Sequence, residues 1–183
     1  MIRRLFVAAE IPPASQARLY AAAALLRERA AQARVTRREN FHITLAFLGE
    51  TDREADIRRA MDETRVPAFS LSIRGAGRFT GRGGELWWAG VDPCPALHTL
   101  YQSLWAALEC AGFAPEQRPF KPHLTLARGV LGAQGADARA LGLSAPEPVF
   151  VGHITLFESA YRDGRLRYLP RYRRVLSEPG GGV

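Results

Sequence analysis

A chain of 183 residues with 47% hydrophobic and 23% charged content has the size and composition of one globular domain, and none of its apolar segments approaches the roughly 20 residues that cross a bilayer. The net charge of +7 and isoelectric point near 10.2 rest almost wholly on arginine, Lys121 being the only lysine; guanidinium groups pair with phosphate and stack on bases, so the charge fits an anionic partner as well as a plain arginine-rich surface. Cys94 and Cys110 make no C-x-x-C pair and are too few for a disulfide framework, which fits a reducing cytoplasm.

Leu5 to Ile11 is rich in apolar residues and reads as a first buried strand, closed by Pro12 and Pro13, rather than as a signal peptide. From about Ala14 to Gln32, Leu19, Ala22, Ala23, Leu26 and Ala30 recur at helical spacing with arginine and glutamate opposite, an amphipathic helix. Phe41 to Leu48 is a strand ended by Gly49, and a short helix is expected from Arg53 to Thr64. Phe69 to Ile73 and Leu86 to Val91 read as strands joined by GAGRFTGRGG, taken as a loop. Leu97, Leu100, Tyr101, Leu104 and Leu108 form a helical stripe that stops at Gly112, a favoured residue just past a helix end. A strand over Lys121 to Ala127, two final strands over about 149–158 and 166–176, and a disordered tail over 177–183 complete the reading.

The order helix then FHITLAF, and again helix then PHLTLAR, points to an internal duplication in which each half contributes one such strand to a cleft where the halves meet. Side chains alternate along a strand, so His42 and Thr44 share one face and Ile43, Leu45 and Phe47 the other; His123 and Thr125 are likewise opposite Leu124 and Leu126. Two imidazoles and two hydroxyls can therefore face one space. Imidazole takes or gives a proton near neutral pH, and a threonine hydroxyl can donate to a non-bridging phosphate oxygen, so the set suits opening of a cyclic phosphodiester without a metal. His153 and Thr155 repeat the spacing in GHITLF. That strand does not follow a helix as the others do, and His153 is expected to be structural or surface-exposed.

RENFHITLAFLGE and RPFKPHLTLAR resemble the paired signatures of the two-histidine phosphoesterase superfamily, in particular its bacterial and archaeal RNA 2′,3′-cyclic phosphodiesterases, historically called 2′-5′ RNA ligases. RLFVAAEIP, ELWWAGVD, AGFAPEQRPFKPHLTLAR and ITLFES resemble further segments of the family in order, so the likeness covers nearly the whole chain. It implies an α+β, bilobal, pseudo-twofold fold in which two antiparallel β-sheets line a central cleft and helices pack outside, all within 1–183. It also implies hydrolysis of a terminal 2′,3′-cyclic phosphate to a 2′-phosphate, with reverse 2′-5′ ligation as a side capacity. Carried onto this chain, His42 is the proton donor to the leaving oxygen, His123 the proton acceptor from water, and Thr44 and Thr125 bind phosphate. Arg128 falls where a guanidinium stacks on the terminal base.

Lys121 shares the parity of His123 and could direct charge into the cleft, provided Pro122 does not disturb the pleat. Arg78 and Arg82 could grip more distant phosphates or be ordinary surface charges. Trp87 and Trp88 point to opposite faces, so one at most is a stacking surface; His98 reads as structural, and Phe6 and Phe47 as core. Expected partners are RNA with a 2′,3′-cyclic phosphate end or a cyclic nucleotide, for a cytoplasmic monomer with no cofactor, metal or membrane. Two other readings stand beside this one. A non-catalytic module binding RNA ends or nucleotides would need the arginines but not two matched histidines. A zinc hydrolase is disfavoured because each His-x-Thr supplies one ligand per strand, without a carboxylate or thiolate cluster.

Overall fold

Alternation along the first strand puts Leu5, Val7 and Ala9 into the core and leaves Phe6, Ala8 and Glu10 on the other face, and this period sets the sheet on which the first histidine sits. The computed structural model describes residues 1–116, 118–162 and 164–178. Among them the strands are β1 (Arg3–Glu10), β2 (Gln32–Val35), β3 (His42–Thr51), β4 (Phe69–Phe79), β5 (Glu85–Val91), β6 (His123–Leu131), β7 (Glu147–Val151), β8 (His153–Arg162) and β9 (Arg165–Val175). The helices are α1 (Pro13–Arg29), α2 (Glu54–Glu63) and α3 (Pro95–Cys110).

The strands form two sheets whose pairings are antiparallel, as the α+β two-sheet reading expects. Counted outward from the histidine-bearing strand, one sheet runs β3-β1-β8-β9 and the other β6-β5-β4-β7, with β2 added outside β6. In each, the neighbour of the histidine strand leads directly into a helix, β1 into α1 and β5 into α3. The duplicated sequence pattern is thus a duplicated strand order.

The helices brace the opposite halves. α1 begins with Pro13 in its first turn, where a fixed φ and a missing N–H cost nothing, and packs near β2 and β6 through its buried Leu19, Ala22, Ala23 and Leu26. α3 buries Leu97, Leu100, Leu104 and Leu108 and reaches β3, where the Trp105 indole N–H donates to the Leu45 carbonyl at 3.0 Å. Its end is a Schellman closure: Phe113 N–H donates to Leu108 and Gly112 N–H to Glu109, with Gly112 at φ +81°.

Four sequence expectations change. The apolar run 149–158 is two strands, not one: β7 pairs with β4 in one sheet and β8 with β1 and β9 in the other, the chain crossing at Gly152. Period-2 patterning cannot distinguish a strand that changes sheets from one that continues, and the glycine is the only local sign. GAGRF belongs to β4, and only Thr80 to Gly84 turn. The first helix ends at Arg29, because polar Gln32 to Val35 pair with β6 as the edge strand β2. Finally, Ser177 bridges to Pro67 and its carbonyl accepts from Ala68 at 2.8 Å, so the expected disordered tail does not begin at 177; its residues 179–183 lie outside the described residues.

Candidate active site

Both His-x-Thr motifs open their strands, and the register aims them. His42 pairs with Glu10 and Thr44 with Ala8 on β1, while His123 pairs with Gly90 and Thr125 with Trp88 on β5. Between the motif positions, Ile43 and Leu124 are fully buried, so the alternation read from sequence holds. His42, Thr44, His123, Thr125, Lys121 and Arg128 all line one cavity of about 560 Å³ at the junction of β3 and β6.

The two imidazoles are anchored alike. His42 Nδ1–H donates to the Asn40 carbonyl at 2.7 Å and His123 Nδ1–H to the Lys121 carbonyl at 2.7 Å, each two residues upstream. A carbonyl only accepts, so each neutral ring carries its hydrogen on Nδ1 and keeps a lone pair on Nε2. His42 Nε2 lies 3.0 Å from Thr44 Oγ1, whose hydroxyl donates to it while the ring is neutral. Burial pushes the His42 pKa down from 6.5 to about 4, against the Asn40 hydrogen bond, and the charges of Arg128 and His123 add to the lowering. His123 is also lowered, first by burial and further by Arg128, against the pull of the Lys121 carbonyl. One guanidinium therefore acts electrostatically on both rings.

Aromatic rings wall the pair. Phe6 lies 5.0 Å from His42, and Tyr168 meets His42 edge-on at 5.1 Å; Phe79 meets His123 edge-on at 5.3 Å, with Trp88 at 6.3 Å. Gly77 makes room for Trp88, since a Cβ there would fall 2.3 Å from its ring. Gly77→Ala is expected to push the indole toward His123 and lower kcat by more than KM changes, while Trp88 fluorescence shifts; an unaltered kcat with a folded protein would contradict this.

Other sequence expectations resolve individually. Strand β6 begins at His123, so Lys121 precedes the paired strand, and its side chain lines the cavity from that segment. Arg78 pairs with Glu85 at 3.3 Å and covers Trp87, away from the histidines, and Arg82 is exposed. Trp87 is core and Trp88 faces the site, as their opposite parity predicts. Phe6 is buried, but Phe47 is 50% exposed and lines the cavity instead of the core, because β3 and β1 slip register beside it. His98 is exposed at the edge of Phe120.

His153 lies outside this cavity. Its Nε2 is 3.4 Å from Glu10 Oε1, and the same carboxylate accepts from Thr155 and Arg173. Burial alone would raise Glu10, but Thr155, Arg173 and His153 together hold it below its ordinary range. The residues that sequence reading missed are Tyr168, Phe79, Tyr101, Trp105 and Phe120, plus Glu116 and Arg118, which also line the cavity. Glu116, Arg118 and Phe120 lie in the signature segment before His123 without a pattern that marks them, and Tyr168, Phe79, Tyr101 and Trp105 come from strands and a helix distant in sequence. Among the described residues, no three or more His, Cys, Asp or Glu side chains are grouped to hold a metal ion, and no helix is long and apolar enough to cross a membrane.

Comparison with known proteins finds related sequences and related folds. A model of the 2′-5′ RNA ligase superfamily matches residues 11–163. An RNA 2′,3′-cyclic phosphodiesterase of Geobacillus stearothermophilus is 33% identical over 148 residues, covering 77% of this chain but only 46% of that protein. One of Escherichia coli K12 is 31% identical over 147 residues, covering 76% of this chain and 78% of its own. The crystal structure of E. coli LigT complexed with 3′-AMP superposes with a TM-score of 0.80 at 28% identity, over 97% of this chain and all of that one, and a structure described as a phosphoesterase gives 0.78 at 27% identity over the same shares.

Proposed function

The chain belongs to the 2′-5′ RNA ligase superfamily, and on that premise we propose that it hydrolyses terminal 2′,3′-cyclic phosphates on RNA to 2′-phosphates by metal-independent acid/base catalysis. The observation that carries this reading is the pair of imidazoles anchored alike through Nδ1, lining a single cavity with both motif threonines, one of which, Thr44, already meets His42 Nε2.

His123 Nε2 takes a proton from water as its oxygen bonds to phosphorus; the bond from phosphorus to the ribose 3′ oxygen breaks, and His42 Nε2–H protonates that oxygen. Proton count balances, and the exchange of roles between the rings resets the site through solvent. Thr44 and Thr125 donate to the non-bridging oxygens, where negative charge grows. Arg128 stacks on the terminal base, and Lys121 attracts the anion. Because His42 sits near pKa 4 in the empty cleft, it gains its proton when an anionic phosphate docks beside it, so acid formation is coupled to substrate binding. An RNA 5′-hydroxyl in place of water would run the chemistry toward a 2′-5′ linkage. The working unit in this proposal is a single bilobal domain over 1–183, acting as a cytoplasmic monomer on RNA ends or cyclic nucleotides, with no cofactor.

Adenosine 2′,3′-cyclic phosphate incubated with pure protein in excess EDTA is expected to give adenosine 2′-phosphate alone, read by phosphorus NMR. Binding without turnover would favour a module that recognises RNA ends, and loss of turnover on chelation would favour a metal hydrolase.

A further inference from the structure

The cavity that holds the two imidazoles is also walled by Phe47 of β3 and by Tyr101 of α3 with Phe120, whose rings lie parallel, 4.0 Å apart at 11°. These rings line open space: Phe47 is half exposed, and Tyr101 and Phe120 are only partly buried. The buried tie between α3 and β3 is made by Trp105. One face of each ring in the Tyr101–Phe120 stack is taken by the other, so the pair offers the cavity its edges and outer faces, beside the half-exposed Phe47 ring. Flat apolar faces beside a charged catalytic centre suit nucleobases, which stack on aromatic rings with little regard to sequence.

The shelf is continuous with the catalytic pair. Phe120 adjoins Lys121, whose carbonyl anchors His123, and Lys121 itself lines the same cavity. A cation at that junction is placed to meet the phosphodiester that joins two nucleotides. We propose that this aromatic end is a second-nucleotide subsite, stacking the base that precedes the cyclic-phosphate nucleotide in the same RNA strand. This inference rests on the hydrolytic reading above and specifies its substrate class: oligoribonucleotide ends rather than free cyclic mononucleotides.

The test compares kcat/KM for a dinucleotide ending in a 2′,3′-cyclic phosphate with that for the cyclic mononucleotide, both in EDTA. The intact protein is expected to favour the dinucleotide by about 5- to 150-fold, the usual value of one stacked base. Phe120→Leu should bring that ratio close to one, and Phe120→Tyr, which keeps the flat ring, should preserve it. Because the ratio is internal to each variant, a general loss of activity cancels. A ratio near one in the intact protein, or an undiminished ratio in Phe120→Leu, overturns the subsite. So does a Phe120→Leu protein that loses only joining to a 5′-hydroxyl strand, since the shelf would then hold an acceptor. If neither substrate is cleaved, the hydrolytic reading fails by itself. The subsite is then read by calorimetry from the affinities of the 2′-phosphorylated dinucleotide and mononucleotide, and equal affinities overturn it.

Discussion

Replacement of His42 or His123 by alanine is expected to lower kcat toward 2′,3′-cyclic AMP by about 10²–10⁴-fold, with KM changed far less. Each ring has Nδ1 committed to a backbone carbonyl and no backbone partner at Nε2, which in His42 meets only the Thr44 hydroxyl, so each substitution removes one proton-transfer site and leaves the threonine donors in place. His123→Ala carries little risk to the fold, since its ring is only partly buried. His42 packs against Phe6 and Tyr168, and His42→Gln is the companion variant that retains volume and a polar tip without the titration. Thr44→Ala and Thr125→Ala lose one donor to the phosphate and should cost less than loss of either ring. A threonine variant that fell further than both histidine variants would reverse the assignment of roles.

The second large effect is on pH dependence. Both imidazoles are held below 6.5 in the empty cleft, His42 at about 4, first by burial and then by Arg128. Because kcat/KM reports the free enzyme and needs one ring protonated and the other neutral, its bell is expected to peak below pH 6.5, with the acid limb near 4. Arg128→Met removes a positive charge that acts on both rings and should move both limbs to higher pH, beyond any fall in affinity. Stability follows the same shift. A histidine with a folded pKa below its unfolded value binds fewer protons folded than unfolded. Its contribution is therefore complete above pH 6.5 and is lost as the pH falls toward 4. At full protonation that loss is roughly 3 kcal/mol for His42. Urea midpoints measured between pH 7 and pH 4 should show a steep decline that His42→Gln flattens, and identical slopes in the two proteins would contradict it.

The alternation within HITLAF and HLTLAR was enough to identify which side chains share a face, and the helix-then-motif repeat was enough to imply two halves meeting at a cleft. Both follow from local periodicity, which a strand expresses wherever it lies. What local pattern could not show was sheet membership. VFVGHITLF reads as one apolar run, yet it leaves one sheet at Val151 and enters the other at His153. The aromatic surroundings were equally hidden: Tyr168 reaches His42 from β9, and Tyr101 and Phe120 meet across α3 and the segment before β6. Parity predicts Phe47 in the core, and a register slip between β1 and β3 turns it into the cavity. His153 shows the converse, a perfect motif match that the fold commits to a carboxylate, Glu10, outside the cavity.

The claim on which the account depends is that His42 and His123 act together on one phosphorus atom. A double-substitution cycle tests it: kcat is measured in EDTA for the intact protein, His42→Gln, His123→Ala and the combined variant. Groups that serve one transition state give a double variant scarcely slower than the worse single one. If the two losses instead multiply in full, the imidazoles work independently and the shared-phosphate mechanism is wrong.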